Sequence, residues 1–173
     1  MRTSLLLAAL GTLSVLSACS KSAPAPGKAV ALESLCNEPD ATRVRITGHI
    51  RYQRGLLSFC SSYGGKKTCD LSLYAGPEKP PDFSVMRPQT GPEPLHVKVS
   101  VPVGGAPGEM DELPKEFKES DVVFHLPNGA KAGEGTKVVI DGMLSVLPEM
   151  KNPSDGGVMP KTCYVKVEWA SAG

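Results

Sequence analysis

The chain has 173 residues, with nineteen Lys plus Arg set against eighteen Asp plus Glu, a formal charge of +1. So even a balance lacks the basic footprint that nucleic-acid binding requires, and no nucleic-acid partner is expected. The length suits one domain, and an aromatic fraction of only 5% obliges its core to be built from Val, Leu and Ile.

Residues 1–18 carry one early cation, Arg2, an apolar run from Leu5 to Leu10, and small residues at Ser17 and Ala18. That is the layout of an export signal peptide. The uncharged stretch from Leu5 to Ala18 is broken by Gly11, Thr12 and Ser14 and falls short of the ~20 apolar residues that cross a bilayer. Its end, Leu16, Ser17, Ala18, Cys19, resembles the lipobox of bacterial lipoprotein precursors, in which the cysteine thiol takes a diacylglyceryl group and cleavage frees an amine for a further chain. The resemblance implies lipidation at Cys19 and a membrane anchor of more than one acyl chain, as stable attachment requires. Within that family an Asp after the cysteine favours inner-membrane retention, so Ser20 implies the outer membrane, facing the periplasm. Cleavage before Cys19 removes Arg2 and no acid, leaving eighteen basic and eighteen acidic residues.

Ser20 to Lys28 alternates Ser, Lys, Ala, Pro and Gly with nothing to bury. Residues 19–29 therefore read as a lipidated flexible tether, ahead of a single domain over 30–173. Val30, Leu32 and Leu35 suggest a short helix that Pro39 ends. From Arg43 the period becomes two, with Val44, Ile46, Gly48, Ile50 and Tyr52 on one face and Arg43, Arg45, Thr47, His49 and Arg51 on the other. That is a strand buried on one side. The runs Leu56 to Tyr63 and Lys66 to Tyr74 flank Gly64 and Gly65, a dipeptide suited to the positive φ angles of a two-residue hairpin turn.

Residues 76–94 hold six prolines and no period, which predicts a long surface loop. Leu95 to Val103 alternates again, and Pro102 within it suggests an edge strand. Glu109 to Glu119 is charged and reads as a short helix, Asp121 to Leu126 as a brief strand before a Pro127-Asn128-Gly129 turn. Thr136 to Leu147 is a long strand, and Thr162 to Trp169 the last, with Cys163, Val165, Val167 and Trp169 facing inward. The expected class is all-β with minor helix.

The order of three meandering strands, an insert, and then Glu134, Gly135, Thr136, Lys137, Val138, Val139, Ile140, Asp141, Gly142 resembles the small five-stranded OB-fold barrel, whose fourth strand often opens on Gly and a polar residue before a Val-rich run ending in Gly. Arg43 to Gly48 repeats the pattern as the opening strand. The resemblance covers roughly residues 40 to 170 and implies an OB-fold-like antiparallel barrel in which Leu95 to Val103 is an extra inserted strand. A Greek-key β-sandwich is the alternative.

Beyond Cys19 the cysteines are Cys36, Cys60, Cys69 and Cys163, an even set in an oxidising compartment, which reads as two disulfides among three connectivities. Counting outward from Gly64-Gly65 sets Cys60 directly opposite Cys69, on a non-hydrogen-bonded pair whose α-carbons approach to about 4.5 Å. Cys36 and Cys163 then pair by elimination. A redox or metal cysteine site is disfavoured because no C-x-x-C and no zinc-ligand spacing of Cys and His occurs.

His49, His96 and His125 are the only histidines, each on an expected strand and none within four residues of a Cys or another His. The methionines are scattered rather than clustered, so no metal ligands are assigned. G-x-S-x-G and the phosphate-cradling G-x-x-x-x-G-K-[ST] are both missing, and no catalytic residue or cofactor is expected. One face stands out as a candidate for an anionic glycan, a lipid headgroup or an acidic partner: the outward row Arg43, Arg45, His49 and Arg51. The competing account pairs these with Glu or Asp from neighbouring strands, which suits the balanced charge. The expected function is therefore a non-enzymatic, membrane-tethered binding or structural module of the cell envelope that contacts a protein or glycan partner. A copper- or zinc-handling lipoprotein and an envelope hydrolase are the alternatives.

Overall fold

The computed structural model describes residues 22–52, 60–78, 95–151, 157–159 and 161–173. The leader, Cys19, the start of the second expected strand (56–59) and most of the proline-rich loop expected over 76–94 lie outside them.

Eleven strands are described: β1 (Lys28–Ala29), β2 (Arg43–Arg51), β3 (Cys60–Tyr63), β4 (Lys66–Tyr74), β5 (His96–Pro102), β6 (Val123–His125), β7 (Lys131–Gly133), β8 (Lys137–Leu147), β9 (Met150–Lys151), β10 (Val158–Met159) and β11 (Thr162–Ala172). The helical pieces are 3₁₀ turns, the longest being Leu32–Asn37, so the protein is all-β with minor helix. The main sheet runs β1-β2-β8-β11-β5-β4-β3, and an added β2–β4 pairing bends five of these strands into a ring, β2-β8-β11-β5-β4. Within the ring β5 and β11 run parallel and the other neighbours antiparallel. The sheet is thus a partly closed ring rather than two stacked sheets, and its parallel β5–β11 pair corrects the expectation of a wholly antiparallel barrel.

Period-two alternation builds the interior. Val44, Ile46 and Ile50 of β2, Leu71 and Leu73 of β4, Val97, Val99 and Val101 of β5, Val138, Ile140 and Leu144 of β8, and Val165 and Val167 of β11 are all buried. Val99 and Val165 lie directly opposite in the parallel pair. Burying each such side chain contributes about 1.5–3 kcal/mol relative to leaving it in water, which is how so few aromatics suffice. Leu32 and Leu35 of the 3₁₀ turn join the same cluster, as do Met110, Val122 and Phe124 from the segment between β5 and β8.

Several expectations need correction. Leu95 to Val103 is not an inserted extra: as β5 it belongs to the ring. Of the main sheet's strands, β1 and β3 lie outside the ring, and β3 is the one that extends the meander. β3 follows β2 along the same edge of β4, since His49 opposes Tyr74 and Arg51 opposes Ser72, after which Cys60 opposes Cys69 and Tyr63 opposes Lys66. Nor is β5 an edge, because β4 and β11 flank it. Pro102 is tolerated as its last residue, two positions past the final parallel pair, Lys166 with Ser100.

The charged stretch Glu109 to Glu119 is not a helix. Its backbone turns to neighbours instead: Met110 N–H donates to Pro102 and Asp111 N–H to Val123, while Pro114 interrupts any helical hydrogen-bond run. On the last strand the register shifts between Val167 and Trp169. The bulge places Ala170 opposite Ile140 in the interior and Trp169 opposite Asp141 on the outer side. Trp169 stays buried because the chain at Gly108 covers it. A Cβ on Gly108, whose φ is +89°, would lie 2.7 Å from the Trp169 α-carbon.

Both disulfides are present. Cys60 and Cys69 join across the hairpin with α-carbons 3.9 Å apart, and Cys36 joins Cys163 across a sequence separation of 127. The hairpin register follows the Gly64-Gly65 count, both glycines having positive φ.

Candidate functional site

The alternation that buries Val44, Ile46 and Ile50 turns the cationic row of β2 outward, and each member of that row meets a partner. Arg43 pairs with Glu168 at 2.9 Å. Arg45 donates from Nε to both carboxylate oxygens of Asp141 at 3.1 Å and from Nη2 at 2.7 Å. His49 donates from Nδ1 to the Gly135 carbonyl at 3.1 Å, and Arg51 donates to the Pro77 carbonyl. The row is thus tied into its own barrel, as the competing account has it for Arg43 and Arg45.

Asp141 matters most in this group. It is one of two buried polar residues among those described, 2% exposed, and besides Arg45 it accepts the Gly27 N–H at 2.7 Å. Hydrogen bonding to this carboxylate raises the Arg45 pKa above its ordinary value. Gly27 crosses β2 so closely that a Cβ there would lie 2.5 Å from the Val44 carbonyl carbon. Lys28 and Ala29 then pair in parallel with Val44 and Arg45, and Val30 N–H donates to Arg45. Lys28 adds an ion pair to Glu38. The segment read from sequence as tether is therefore held to the barrel from Gly27 onward.

The histidines are engaged separately. His49 and His96 flank Tyr74 in one cross-strand row, with His96 stacked on the Tyr74 ring at 4.9 Å between centroids. His125 contacts Asp111 at 2.6 Å, and Lys131 holds the other Asp111 oxygen at 3.0 Å. Hydrogen bonding, first from Lys131 and then from His125, lowers the Asp111 pKa below the usual carboxylate value. Among the described residues no three His, Cys, Asp or Glu side chains gather as a metal would need, and no helix is long and apolar enough to cross a membrane.

What the sequence did not assemble is a groove of about 610 Å³ on the outer side of β4, β5 and β11. Thr68 and Asp70 from β4, His96, Lys98 and Ser100 from β5, and Thr162 and Tyr164 from β11 bring polar groups to it, and Val97 of β5 adds apolar surface. Ser61 of β3 and Leu147 at the end of β8 line it as well, together with the Cys36–Cys163 link. These side chains meet because Asp70 opposes Ser100 and Tyr164 opposes Lys98. The only signal for them in the sequence was the polar half of each strand's alternation, which does not say which strands are neighbours.

Compared with known proteins, the chain matches no family model and no curated sequence.

Proposed function

We propose that the chain is a lipid-anchored module of the bacterial envelope that binds a partner in the groove across β4, β5 and β11 and performs no chemistry on it. The observation that carries this reading is the groove itself: a concave, hydroxyl-rich surface on a disulfide-linked barrel, in the size range of ligand sites. Of the histidines, the residues best suited to acid-base work, His49 is held by a carbonyl and His125 by a carboxylate away from the groove, and His96, which lines it, stacks on Tyr74. The anchor reading rests on Leu16-Ser17-Ala18-Cys19. Cys19 lies eight positions before Gly27, a reach of at most roughly 29 Å. From Gly27 the chain is pinned beside β2 and β8, across the ring from β5. A bilayer-attached protein would accordingly turn its groove toward the periplasm rather than the headgroups.

The test is made in envelope preparations of the full chain. A photoreactive side chain placed at Ser100 is expected to form a discrete adduct, the same group at exposed Thr47 none, and Cys19→Ser is expected to move the folded protein from the membrane to the soluble fraction. Equal labelling at both positions would remove the groove from the reading. Membrane retention of Cys19→Ser would remove the anchor.

A further inference from the structure

We infer that the groove takes a single-chain zwitterionic amphiphile, with a terminal ammonium at Asp70, an anionic group at Lys98 and an aliphatic chain toward Leu147. The inference deepens the groove-binding reading above and rests on it. Its first basis is the state of Asp70. Five aspartates are described: Asp40, Asp70, Asp111, Asp121 and Asp141. Asp40 accepts the Val146 N–H and Asp121 the Lys118 N–H, while Asp111 and Asp141 hold cations. Asp70 alone of the five has neither an ion pair nor a hydrogen bond through its carboxylate. Lys98 is likewise unpaired. Both side chains are exposed and both line the groove; among the described lining residues they are the one carboxylate and the one lysine or arginine.

The second basis is order. Asp70 opposes Ser100, and two residues back along β5, on the same face, Lys98 opposes Tyr164 of β11. One further step in that direction lie His96 on β5 and Thr162 on β11, and Thr162 opposes Leu147 at the end of β8. There the Cys36–Cys163 link completes the wall. Along its length the lining thus passes from an acid beside a hydroxyl, through a base beside a phenol, to aliphatic and sulfur surface. A matching ligand carries its cation at one tip, its anion next and its hydrocarbon last, which is the order of an ethanolamine lysophospholipid. Other chemistries match only parts of it. A neutral sugar displaces water from both charges and returns no counter-charge. A fatty acid supplies the anion for Lys98 and leaves Asp70 unmatched, and a polyanion meets Asp70 as a like charge. A volume of about 610 Å³ is that of a small-molecule site, so the ligand enters as a monomer rather than as a patch of bilayer.

Two photoreactive probes test this in envelope preparations of the full chain. One is a lysophosphatidylethanolamine with a diazirine in its chain; the other is a lysophosphatidylglycerol with the same chain, which keeps the anion and lacks the ammonium. The ethanolamine probe is expected to label the protein saturably, on peptides containing Leu147 or Thr162. Half-labelling should need about fivefold less of it than of the glycerol probe, the effect of one ion pair within reach of solvent. Asp70→Asn should erase that difference and leave labelling by the glycerol probe unchanged, whereas Lys98→Gln should weaken both. Neither variant should shift the melting curve, since both side chains are exposed and unpaired. Equal labelling by the two probes, labelling away from those peptides, or an ethanolamine preference that survives Asp70→Asn overturns the inference. If neither probe labels the groove while the photoreactive group at Ser100 still forms its adduct, the amphiphile is wrong and the groove stands; if that adduct is missing too, both readings fall.

Discussion

Asp141 shows how one buried carboxylate can organise two stretches of chain far apart in sequence. Its oxygens are shared between the Arg45 guanidinium and the Gly27 backbone N–H, so the residues that follow any anchor are fixed by a side chain more than a hundred positions away. Asp141→Ala removes the shared acceptor and leaves the Gly27 N–H without it. The expected loss is about 2 kcal/mol in denaturant unfolding, below the full penalty for a buried pair because Arg45 is 41% exposed and rehydrates. Thr47→Ala, on the same face and exposed, should change stability by less than about 0.5 kcal/mol. Asp111 supplies a pH dependence whose sign follows from its lowered pKa. A carboxylate stabilised in the folded state contributes fully above its ordinary value and loses that contribution as pH falls through the depressed folded value. The loss of stability on acidification below about pH 4 should therefore flatten in Asp111→Asn, as read by denaturant unfolding at a series of acid pH values.

At the scale of elements, the hairpin and the bulge teach opposite lessons. The pairing of Cys60 with Cys69 was legible because a two-residue turn sets its own register: once Gly64 and Gly65 accept positive φ, every opposite pair follows by counting. The bulge between Val167 and Trp169 was not legible. The sequence alternates without a break there, and what shifts the register is a neighbour, the Gly105–Met110 stretch with Gly108 against Trp169. The same stretch explains why Glu109 to Glu119 is no helix, since bonds to Pro102 and Val123 replace the local ones. The two disulfides also differ as elements. In the chain-entropy account the Cys36–Cys163 link, with a separation of 127, stabilises by about 5 kcal/mol, and Cys60–Cys69, with a separation of 9, by about 2.5 kcal/mol. Replacing each pair by Ser should lower the urea midpoint in that order, with the larger drop for Cys36→Ser with Cys163→Ser.

At the scale of the whole molecule, ring closure converts five half-buried strands into one core and places the groove. Alternation along Arg43–Arg51, His96–Pro102 and Lys137–Leu147 by itself determined which residues face inward, because the period of a strand is a local property of the backbone. Composition and the leader likewise carried the all-β class and the export expectation without reference to any fold. Only the tertiary structure decided that β5 lies between β4 and β11, that β3 continues the edge begun by β2, and that Thr68, Lys98 and Tyr164 share one floor. The same holds for Gly27, whose place in a Gly- and Pro-rich run signals flexibility until Asp141 is found beside it. The reason is physical. A strand's faces are fixed by the geometry of successive residues, whereas its neighbours are selected by the total burial of a closed barrel, a quantity no local window contains.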